Sequence, residues 1–455
     1  MTSINDLTAK HFEVETVGKG AVASPLKLSK RDGDGLFQYV DDSDRILYHT
    51  SLKYYNKCKN SDEPPITFEK AGPREFLYFE PVKTKVAIVT CGGLCPGLND
   101  VIRSLVMTLW HRYNVQRILG IQYGFAGFIP GNNYPYIELD PEVVSQIHLY
   151  GGTFLGSSRG KQDVGAIVDS LEMMNINILF TIGGDGTLKG AHAIHEEIKN
   201  RKLNIAVGAI PKTIDNDINF IEKSFGFETA FSIANEIVRD AHNEAKGAPN
   251  GIALVKLMGR DSGFIAANAA IAIQEVNFVL IPEMKFDLYG KNGFLEALKK
   301  RLELRKHALI IVAEGTGQYF FNDEEIERDA SGNIRYRDIG VFLRDKIEEE
   351  FKKQNFPVSI KYIDPSYIVR STRANANDSK FCSQLAHNAV HAAMAGKTDF
   401  IVGNWNDHFT LLPIPVTVHS RKRIDLESEL WYTVIEGTGQ PISMVNEETA
   451  RDVPR

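Results

Sequence analysis

Cysteines are few in this sequence, and long apolar runs are missing from it. Its 455 residues include only four cysteines, too few for a disulfide framework in a chain of this length. No run of about eighteen apolar residues occurs, so we predict no membrane-spanning helix. The first residues, MTSINDLTAKHFEVE, lack the apolar core of a secretory signal, and the last, ETARDVPR, match no peroxisomal or lipidation signal. We therefore expect a reduced, cytoplasmic protein.

An excess of basic residues is also missing. The formal net charge is −6 and the isoelectric point is about 6.1, which argues against a general nucleic-acid or membrane-surface binder. A local basic pocket for a phosphorylated ligand is compatible with this balance. Cys91 and Cys95 are separated by three residues instead of the two usual at zinc sites, and no Cys or His cluster accompanies them. We expect both to be packing residues.

The pattern of polar and apolar residues changes near residue 82. Residues 1–80 are polar and irregular, with the linker-like cluster KNSDEPP at 59–65, although their aromatic residues favour packing over disorder. From residue 83, short Val- and Ile-rich runs alternate with amphipathic stretches. This alternation predicts parallel sheets covered by helices on both faces, the doubly wound α/β class. The predicted strands are 85–90, 177–182, 204–210, 251–257, 277–281, 307–313, 358–363 and 399–403, and the predicted helices are 98–112, 187–200, 227–245, 291–306, 338–354 and 376–396.

Ligands of such sheets bind beyond the carboxyl ends of the strands, and two predicted strands run into glycine-rich loops there. In TCGGLCPGLND (90–100), Gly92 and its neighbour would let the backbone approach a phosphate at a helix N-terminus, although an ordinary glycine turn is the alternative. TIGGDGTLKG (181–190) adds Asp185, which could hold a divalent cation against phosphates, and Thr187 as the expected N-cap. GGDG can also form a simple turn, but its place between strand and helix indicates nucleotide or polyphosphate chemistry.

The stretch PKTIDND (211–217) follows the next predicted strand. Thr213, Asp215 and Asp217 alternate, so an extended segment would turn all three to one side, where a carboxylate could take a proton from an alcohol. Lys212 would then face the other way. The alternatives are a turn at the Asp-Asn-Asp sequence, or Asp217 as the cap of a following segment.

A fourth loop, KLMGRDSGFIA (256–266), places Arg260 at a strand end. There its guanidinium could bind a phosphate through two hydrogen bonds, or it could form a surface ion pair. With GGDGT, TIDND and MGR in this order, the chain resembles the 6-phosphofructokinases over roughly residues 83–410. GGTFLGSSRG, AEGTGQ and KYIDPSYIVR add to the resemblance. AGPREFLYFEP and TCGGLCPGLNDVIR make the chain most similar to the long, ATP-dependent enzymes of plants, trypanosomes and some bacteria.

The resemblance implies phosphoryl transfer from ATP to the 1-hydroxyl of fructose 6-phosphate, a step of glycolysis, with Mg²⁺ as cofactor. It implies two Rossmann-like domains, with allosteric control and a homo-oligomer, a tetramer or a dimer. The predicted ranges are an N-terminal extension at 1–82, a phosphoryl-donor domain at 83–250, a sugar-phosphate domain at 251–410 and a C-terminal segment at 411–455, for which packing on the donor domain is one option.

The resemblance also implies a role for each residue that matches a family motif. Asp215 matches the general base, Thr213 and Arg260 are the other catalytic candidates, and Asp185 matches the metal ligand. The residues expected at the donor's phosphates are Gly92, Arg159, Gly160, Gly184, Asp185, Gly186 and Thr187. The residues expected at fructose 6-phosphate are Thr213, Ile214, Asp215, Met258, Gly259, Arg260, Glu314, Tyr367 and Arg370.

The chain departs from the family pattern around the sugar phosphate. In bacterial short-chain relatives, an arginine from a neighbouring subunit reaches this phosphate, and here Gly251 stands at that place. Lys361 matches a second arginine from the neighbouring subunit, and Tyr367 matches a histidine. The resemblance therefore leaves open which groups hold the 6-phosphate.

The identity of the donor depends on two positions. Pyrophosphate-using relatives carry aspartate where this chain has Gly186 and lysine where it has Lys212, whereas typical ATP users have glycine at both. A side chain at position 186 would fill space that the α-phosphate of a nucleotide needs, and an aspartate would repel it. We therefore give Gly186 more weight and predict ATP, with pyrophosphate as the alternative.

Other function classes share parts of this pattern. A GGDGT loop also occurs in NAD and lipid kinases, which are not expected to carry PKTIDND and MGR at these spacings. A non-catalytic, sugar-phosphate-binding regulatory subunit is a more remote alternative. It is disfavoured because Asp185, Asp215 and Arg260 are all present. A purely structural role is weaker still.

Overall fold

The structure, a computed structural model, describes residues 7–31, 33–60, 64–321 and 334–446. The described residues form fifteen strands and twelve α-helices. The strands are β1 (Val22–Ala23), β2 (Arg45–Leu47), β3 (Thr67–Lys70), β4 (Phe76–Leu77), β5 (Lys85–Thr90), β6 (Arg117–Ile121), β7 (Tyr136–Glu138), β8 (Ile178–Gly183), β9 (Ala206–Pro211), β10 (Gly251–Leu257), β11 (Phe278–Leu280), β12 (His307–Ala313), β13 (Ser359–Ile363), β14 (Phe400–Trp405) and β15 (His408–Pro413). The helices are α1 (Leu52–Lys59), α2 (Leu98–Tyr113), α3 (Val164–Met173), α4 (Asp185–Asn200), α5 (Phe227–Lys246), α6 (Phe264–Ile273), α7 (Phe294–Arg305), α8 (Ile339–Lys353), α9 (Ser366–Ser371), α10 (Ala376–Met394), α11 (Ile414–Thr417) and α12 (Glu429–Thr438).

The chain divides into two compact units. The first comprises Met1–Thr213, Ile218–Gly226 and Ser371–Arg421. The second comprises Ile214–Asp217, Phe227–Arg370 and Lys422–Arg455. Within the described residues, no helix combines the length and the apolar character needed to cross a membrane.

The first unit is built on a nine-stranded sheet in the order β2-β3-β15-β14-β9-β8-β5-β6-β7. The five strands from β14 to β6 are parallel to one another, and antiparallel strands extend the sheet at both edges. Strands β8 and β9 are buried along their whole length, as expected for parallel strands covered on both faces. Phe12 and Phe68 from the N-terminal part belong to the same core, so this part packs on the sheet.

The second unit contains a four-stranded, wholly parallel sheet in the order β11-β12-β10-β13. The central strands β10 and β12 carry continuous apolar runs and are almost fully buried. Helix α8 begins at its N-cap Asp338, whose carboxylate accepts a hydrogen bond from the Val341 amide at 3.1 Å. The predicted α/β class with mainly parallel sheets is confirmed in both units.

The two compact units divide the chain differently from the predicted ranges. Strand β14, expected in the range 251–410, pairs with β9 in the first unit, while α5, expected in 83–250, packs on β10 in the second. The segment 411–455 is shared, because β15 and α11 belong to the first unit and α12 to the second. The linker-like cluster 59–65 lies partly outside the described residues.

Candidate functional site

The first glycine loop of the first unit lies between β5 and α2. Gly92 has φ of +85°, a left-handed conformation that glycine adopts without strain. The loop is held against two cationic residues. Lys212 Nζ donates a hydrogen bond to the Gly93 carbonyl at 2.7 Å, and a Cβ at Gly93 would lie 3.4 Å from the guanidinium of Arg159, which precedes Gly160. The structure therefore brings Gly92, Arg159 and Lys212 together at this loop.

The second glycine loop leads from β8 into helix α4. The helix starts at Asp185 with Gly184 as its N-cap, so the prediction that Thr187 is the N-cap is wrong. Thr187 is instead the third helical residue and is buried, because its side chain packs over the backbone of Gly183. Gly184 lies against the Lys212 carbonyl, which connects this loop to the first one.

Asp185 occupies the first turn of α4, where the amide groups of the helix terminus favour negative charge. Its Oδ2 is 2.9 Å from Lys189 Nζ and 3.5 Å from the Arg421 guanidinium. Within the described part of the chain, no group of three or more His, Cys, Asp or Glu side chains could hold a metal ion. A metal at Asp185 would therefore share its coordination with a ligand, as Mg²⁺ does at phosphate sites.

Gly186 is the second residue of α4 and faces open space. Its backbone is helical, and a Cβ at this position would meet no atom within 4 Å. Neither the backbone conformation nor the packing of the protein therefore requires glycine here. A ligand that occupies this space would be a reason for glycine.

Within 211–217 only Pro211, the last residue of β9, is extended, so the interpretation that an extended segment turns Thr213, Asp215 and Asp217 to one side is not the correct one. Residues 214 and 215 form a turn, and Asn216 has φ of +56°. Asparagine tolerates this left-handed conformation better than most residues, and the alternative of a turn at Asp-Asn-Asp is therefore the correct one. Two side-chain donors fix the backbone: Ser224 Oγ to the Thr213 carbonyl, and Ser262 Oγ to the Asp215 carbonyl at 3.1 Å.

The two carboxylate oxygens of Asp215, which belongs to the second unit, have different surroundings. Oδ2 accepts a hydrogen bond from the Arg260 amide at 3.1 Å, whereas Oδ1 is buried and has no hydrogen-bond partner among the described residues. Burial, followed by the negative charges of Asp217 and Glu314, raises the pKa of Asp215 to about 7. A carboxylate with such a pKa can exchange a proton near neutral pH.

The MGR loop is shaped by its glycine and by the neighbouring strand end. Gly259 has φ of +133°, and a Cβ there would contact the Ser262 carbonyl. The Glu314 amide donates to the Leu257 carbonyl at 2.9 Å, which places Glu314 beside the loop. Arg260 turns its guanidinium over the Tyr336 ring, 4.4 Å from the ring centroid, and donates to the Ile334 carbonyl. The Arg260 side chain thus forms a cation–π contact. A surface ion pair had been one of the two alternatives from the sequence.

The short helix α9 carries the last two predicted sugar-site residues, Tyr367 and Arg370. Arg370 Nε lies 3.0 Å from the Met258 sulfur, and its charge acts on Asp215. The structure therefore brings together Asp215, Met258, Glu314 and Arg370. Tyr367 is exposed on the same helix.

Two charged residues next to the candidate residues were missed by the sequence analysis. Lys256, in the quoted stretch KLMGRDSGFIA, joins Asp338 at 2.7 Å and Asp364 at 2.9 Å and so connects three segments beside α9. Arg421 reaches Asp185 from a different part of the chain. The only signal for Arg421 was the basic run SRKR at 420–423 after a buried strand, and such runs are common on solvated surfaces.

Comparisons with known proteins agree with these observations. The phosphofructokinase family profile matches residues 85–393. An ATP-dependent 6-phosphofructokinase of Borreliella burgdorferi is 49% identical over 441 residues, covering 96% of this chain and 98% of that protein. An ATP-dependent 6-phosphofructokinase of Trypanoplasma borreli is 40% identical over 459 residues, covering 99% of this chain and 92% of that protein.

Solved structures show the same fold at lower identity. A pyrophosphate-dependent phosphofructokinase from Marinobacter aquaeolei matches with a TM-score of 0.64 at 18% identity, over 79% of this chain and 92% of that one. Phosphofructokinase from Saccharomyces cerevisiae matches with a TM-score of 0.60 at 21% identity, over 78% of this chain and 48% of that one. The family expected from the sequence motifs is thus confirmed by the profile and by the relatives: the chain belongs to the phosphofructokinase family.

Proposed function

We propose that this protein transfers the terminal phosphoryl group of ATP to the 1-hydroxyl of fructose 6-phosphate, giving fructose 1,6-bisphosphate in glycolysis. The observation that carries the proposal is the carboxylate of Asp215, whose buried Oδ1 has no hydrogen-bond partner among the described residues and whose pKa is raised to about 7. A base that must accept a hydroxyl proton needs such a free lone pair and such a pKa. The relatives named as ATP-dependent 6-phosphofructokinases support the same reaction.

The residues proposed for the donor are those of the two glycine loops of the first unit. Backbone amides near Gly92 and Gly184, the N-terminus of α4 and the cations Arg159 and Lys212 would bind phosphate oxygens. Gly160 and Thr187 complete this set. The residues fit Mg²⁺, since a single partly exposed carboxylate next to open space is the arrangement by which this ion is shared with a polyphosphate. Bound at Asp185, it would offset negative charge on the donor's phosphates.

Most of the residues proposed for the sugar phosphate belong to the second unit. Asp215 accepts the proton of the 1-hydroxyl, and the Arg260 amide fixes the carboxylate orientation through Oδ2. Arg370 supplies a positive charge for the 6-phosphate, with Met258 holding its Nε. The other proposed contacts are Thr213, Ile214, Gly259, the Arg260 side chain, Glu314 and Tyr367.

The structure also gives a physical reason for the glycine at the place of the missing arginine. A Cβ at Gly251 would overlap the Ala245 carbonyl oxygen at the end of α5, so no side chain fits there without movement of the backbone. We therefore propose that Arg370 and other groups of this chain bind the 6-phosphate in place of that arginine. Lys361, exposed on strand β13, stands where the relatives have a second arginine from the neighbouring subunit, and it keeps the positive charge of that arginine.

We propose ATP as the preferred donor, because of the open space at Gly186. Pyrophosphate is the second candidate, favoured by Lys212, whose ammonium lies at the first glycine loop and could neutralise phosphates of either donor. A cytoplasmic location, a homo-oligomer of tetramer or dimer size, allosteric control and the predicted domain ranges stay predictions.

The reaction is tested by following ADP release in a coupled assay with Mg²⁺ and ATP, with and without fructose 6-phosphate. We expect release to depend on the sugar phosphate, with one fructose 1,6-bisphosphate formed per ADP. ADP release that is independent of the sugar would indicate a different kinase or an ATPase. Binding of fructose 6-phosphate without any ADP release would indicate the regulatory-subunit alternative.

A further inference from the structure

Arg421 is held in place by the loop that follows the TIDND motif. The backbone of Arg421 forms an antiparallel bridge with Ile218. One residue earlier, Ser420 accepts two hydrogen bonds from the Asn219 side-chain amide, each at 2.7 Å, through its carbonyl and its hydroxyl. These contacts fix the backbone from which the guanidinium extends, although about 200 residues separate the two segments.

The guanidinium of Arg421 reaches the start of α4, beside the open space at Gly186. It lies 3.5 Å from Asp185 Oδ2, and its side chain is 34% exposed. Lys189 pairs with the same oxygen at 2.9 Å from one helical turn away and is 57% exposed. Asp185 therefore has two cationic partners, which leaves the loop with a net positive charge in addition to the positive end of the helix.

A role in stability alone does not account for this arrangement. A partly exposed ion pair with an N–O distance of 3.5 Å contributes little to folding, and Lys189 already neutralises the same carboxylate. A guanidinium, in contrast, has the planar fork of donors that matches phosphate oxygens. Enzymes of phosphoryl transfer use such groups to stabilise negative charge on the donor.

We propose that Arg421 binds the phosphates of the donor, and that it exchanges Asp185 for phosphate oxygens when that carboxylate takes a metal ion. This inference rests on the proposed function, because it assigns Arg421 to the same donor site. It makes Arg421 a phosphate-binding residue of the donor site in addition to Arg159 and Lys212. Lys189 is expected to act through its charge alone.

The test measures ATP binding by isothermal titration calorimetry, with Mg²⁺ and separately with EDTA. Arg421→Met should weaken ATP binding about ten- to a hundredfold, the usual worth of a charge-assisted hydrogen bond. Arg421→Lys should recover part of the loss, because it keeps the charge without the fork. Lys189→Met removes the same charge from the same carboxylate and is the matched control, with a loss of affinity several-fold smaller than that of Arg421→Met.

A double substitution separates phosphate binding from neutralisation of Asp185. In an Asp185→Asn background with EDTA there is no carboxylate to neutralise and no metal, so the loss caused by Arg421→Met should persist. If that loss vanishes, or if Lys189→Met and Arg421→Met weaken binding equally, Arg421 acts on Asp185 or as a general charge and the inference is wrong. If wild type binds no ATP at all, the proposed function fails first, and this inference falls with it.

Discussion

Substitution of Asp215 tests the assignment of the base. Asp215→Ser removes the carboxylate and is expected to lower kcat about 10²–10⁴-fold, the usual contribution of a positioned general base. The KM for fructose 6-phosphate should change little. The base must be unprotonated to act, and burial and the charges of Asp217 and Glu314 raise its pKa to about 7. The kcat/KM of wild type should therefore rise with pH up to about 7 and then level off.

The raised pKa of Asp215 also makes the stability of the fold depend on pH. The direction of this dependence is opposite to that of an ordinary salt-bridged carboxylate. The pKa of Asp215 is about 7 in the folded protein, against an ordinary value of 3.8 for aspartate. The folded state thus keeps a proton that the unfolded state releases, and stability falls as pH rises from about 4 to 7. About three pKa units at 1.36 kcal/mol each put the full loss near 4 kcal/mol. Asp215→Asn keeps the shape without the charge and removes this loss.

The measurement is the thermal unfolding temperature of wild type and Asp215→Asn at pH 5 and pH 8. We expect the variant to gain stability relative to wild type between the two pH values, because only wild type carries the buried charge at pH 8. A difference between the two proteins that does not change with pH would refute the argument from burial. A folded Asp215→Ser enzyme with near-normal kcat would refute the assignment of the base.

Two further substitutions test other parts of the account. Asp185→Asn should shift the Mg²⁺ titration of the initial rate to higher concentration, and an unchanged titration with wild-type activity would place the metal ligand elsewhere. Gly251→Ala should destabilise the protein by about 1–3 kcal/mol, because its Cβ overlaps the Ala245 carbonyl oxygen. Gly437→Ala in α12, where a Cβ meets no atom within 4 Å, is the control and should be neutral or stabilising. Thermal unfolding measures both glycine variants, and equal melting temperatures of the two would contradict the packing argument.

The buried parallel strands could be predicted from the sequence almost to the residue. Strands 85–90, 251–257 and 307–313 have the bounds expected from their apolar runs, because burial on both faces makes such runs continuous. The additions at the sheet edges could not be predicted in this way. Strand β15 pairs with β3, more than 300 residues earlier, and no local pattern of either strand identifies its partner.

At the candidate site, likewise, the motifs name candidate residues but do not determine the conformation of the backbone around them. The motifs predict roles for Asp215 and Asp185, whereas the backbone of 211–217, for which an extended segment and a turn were the alternatives, is turned. The turn depends on hydrogen bonds from Ser224 and Ser262, residues outside the stretch. Arg421 was missed for a similar reason, since its pairing with Ile218 joins distant parts of the chain.

The most direct test of the account is the choice of donor, measured as initial rates of fructose 1,6-bisphosphate formation with ATP and with pyrophosphate. We predict that wild type uses ATP well and pyrophosphate poorly. Gly186→Asp adds bulk and negative charge to the open space and should weaken ATP binding about ten- to a thousandfold, so the ratio of kcat/KM shifts toward pyrophosphate. A wild type that prefers pyrophosphate, or a substitution that harms both donors equally, would contradict the claim that the space at Gly186 admits ATP.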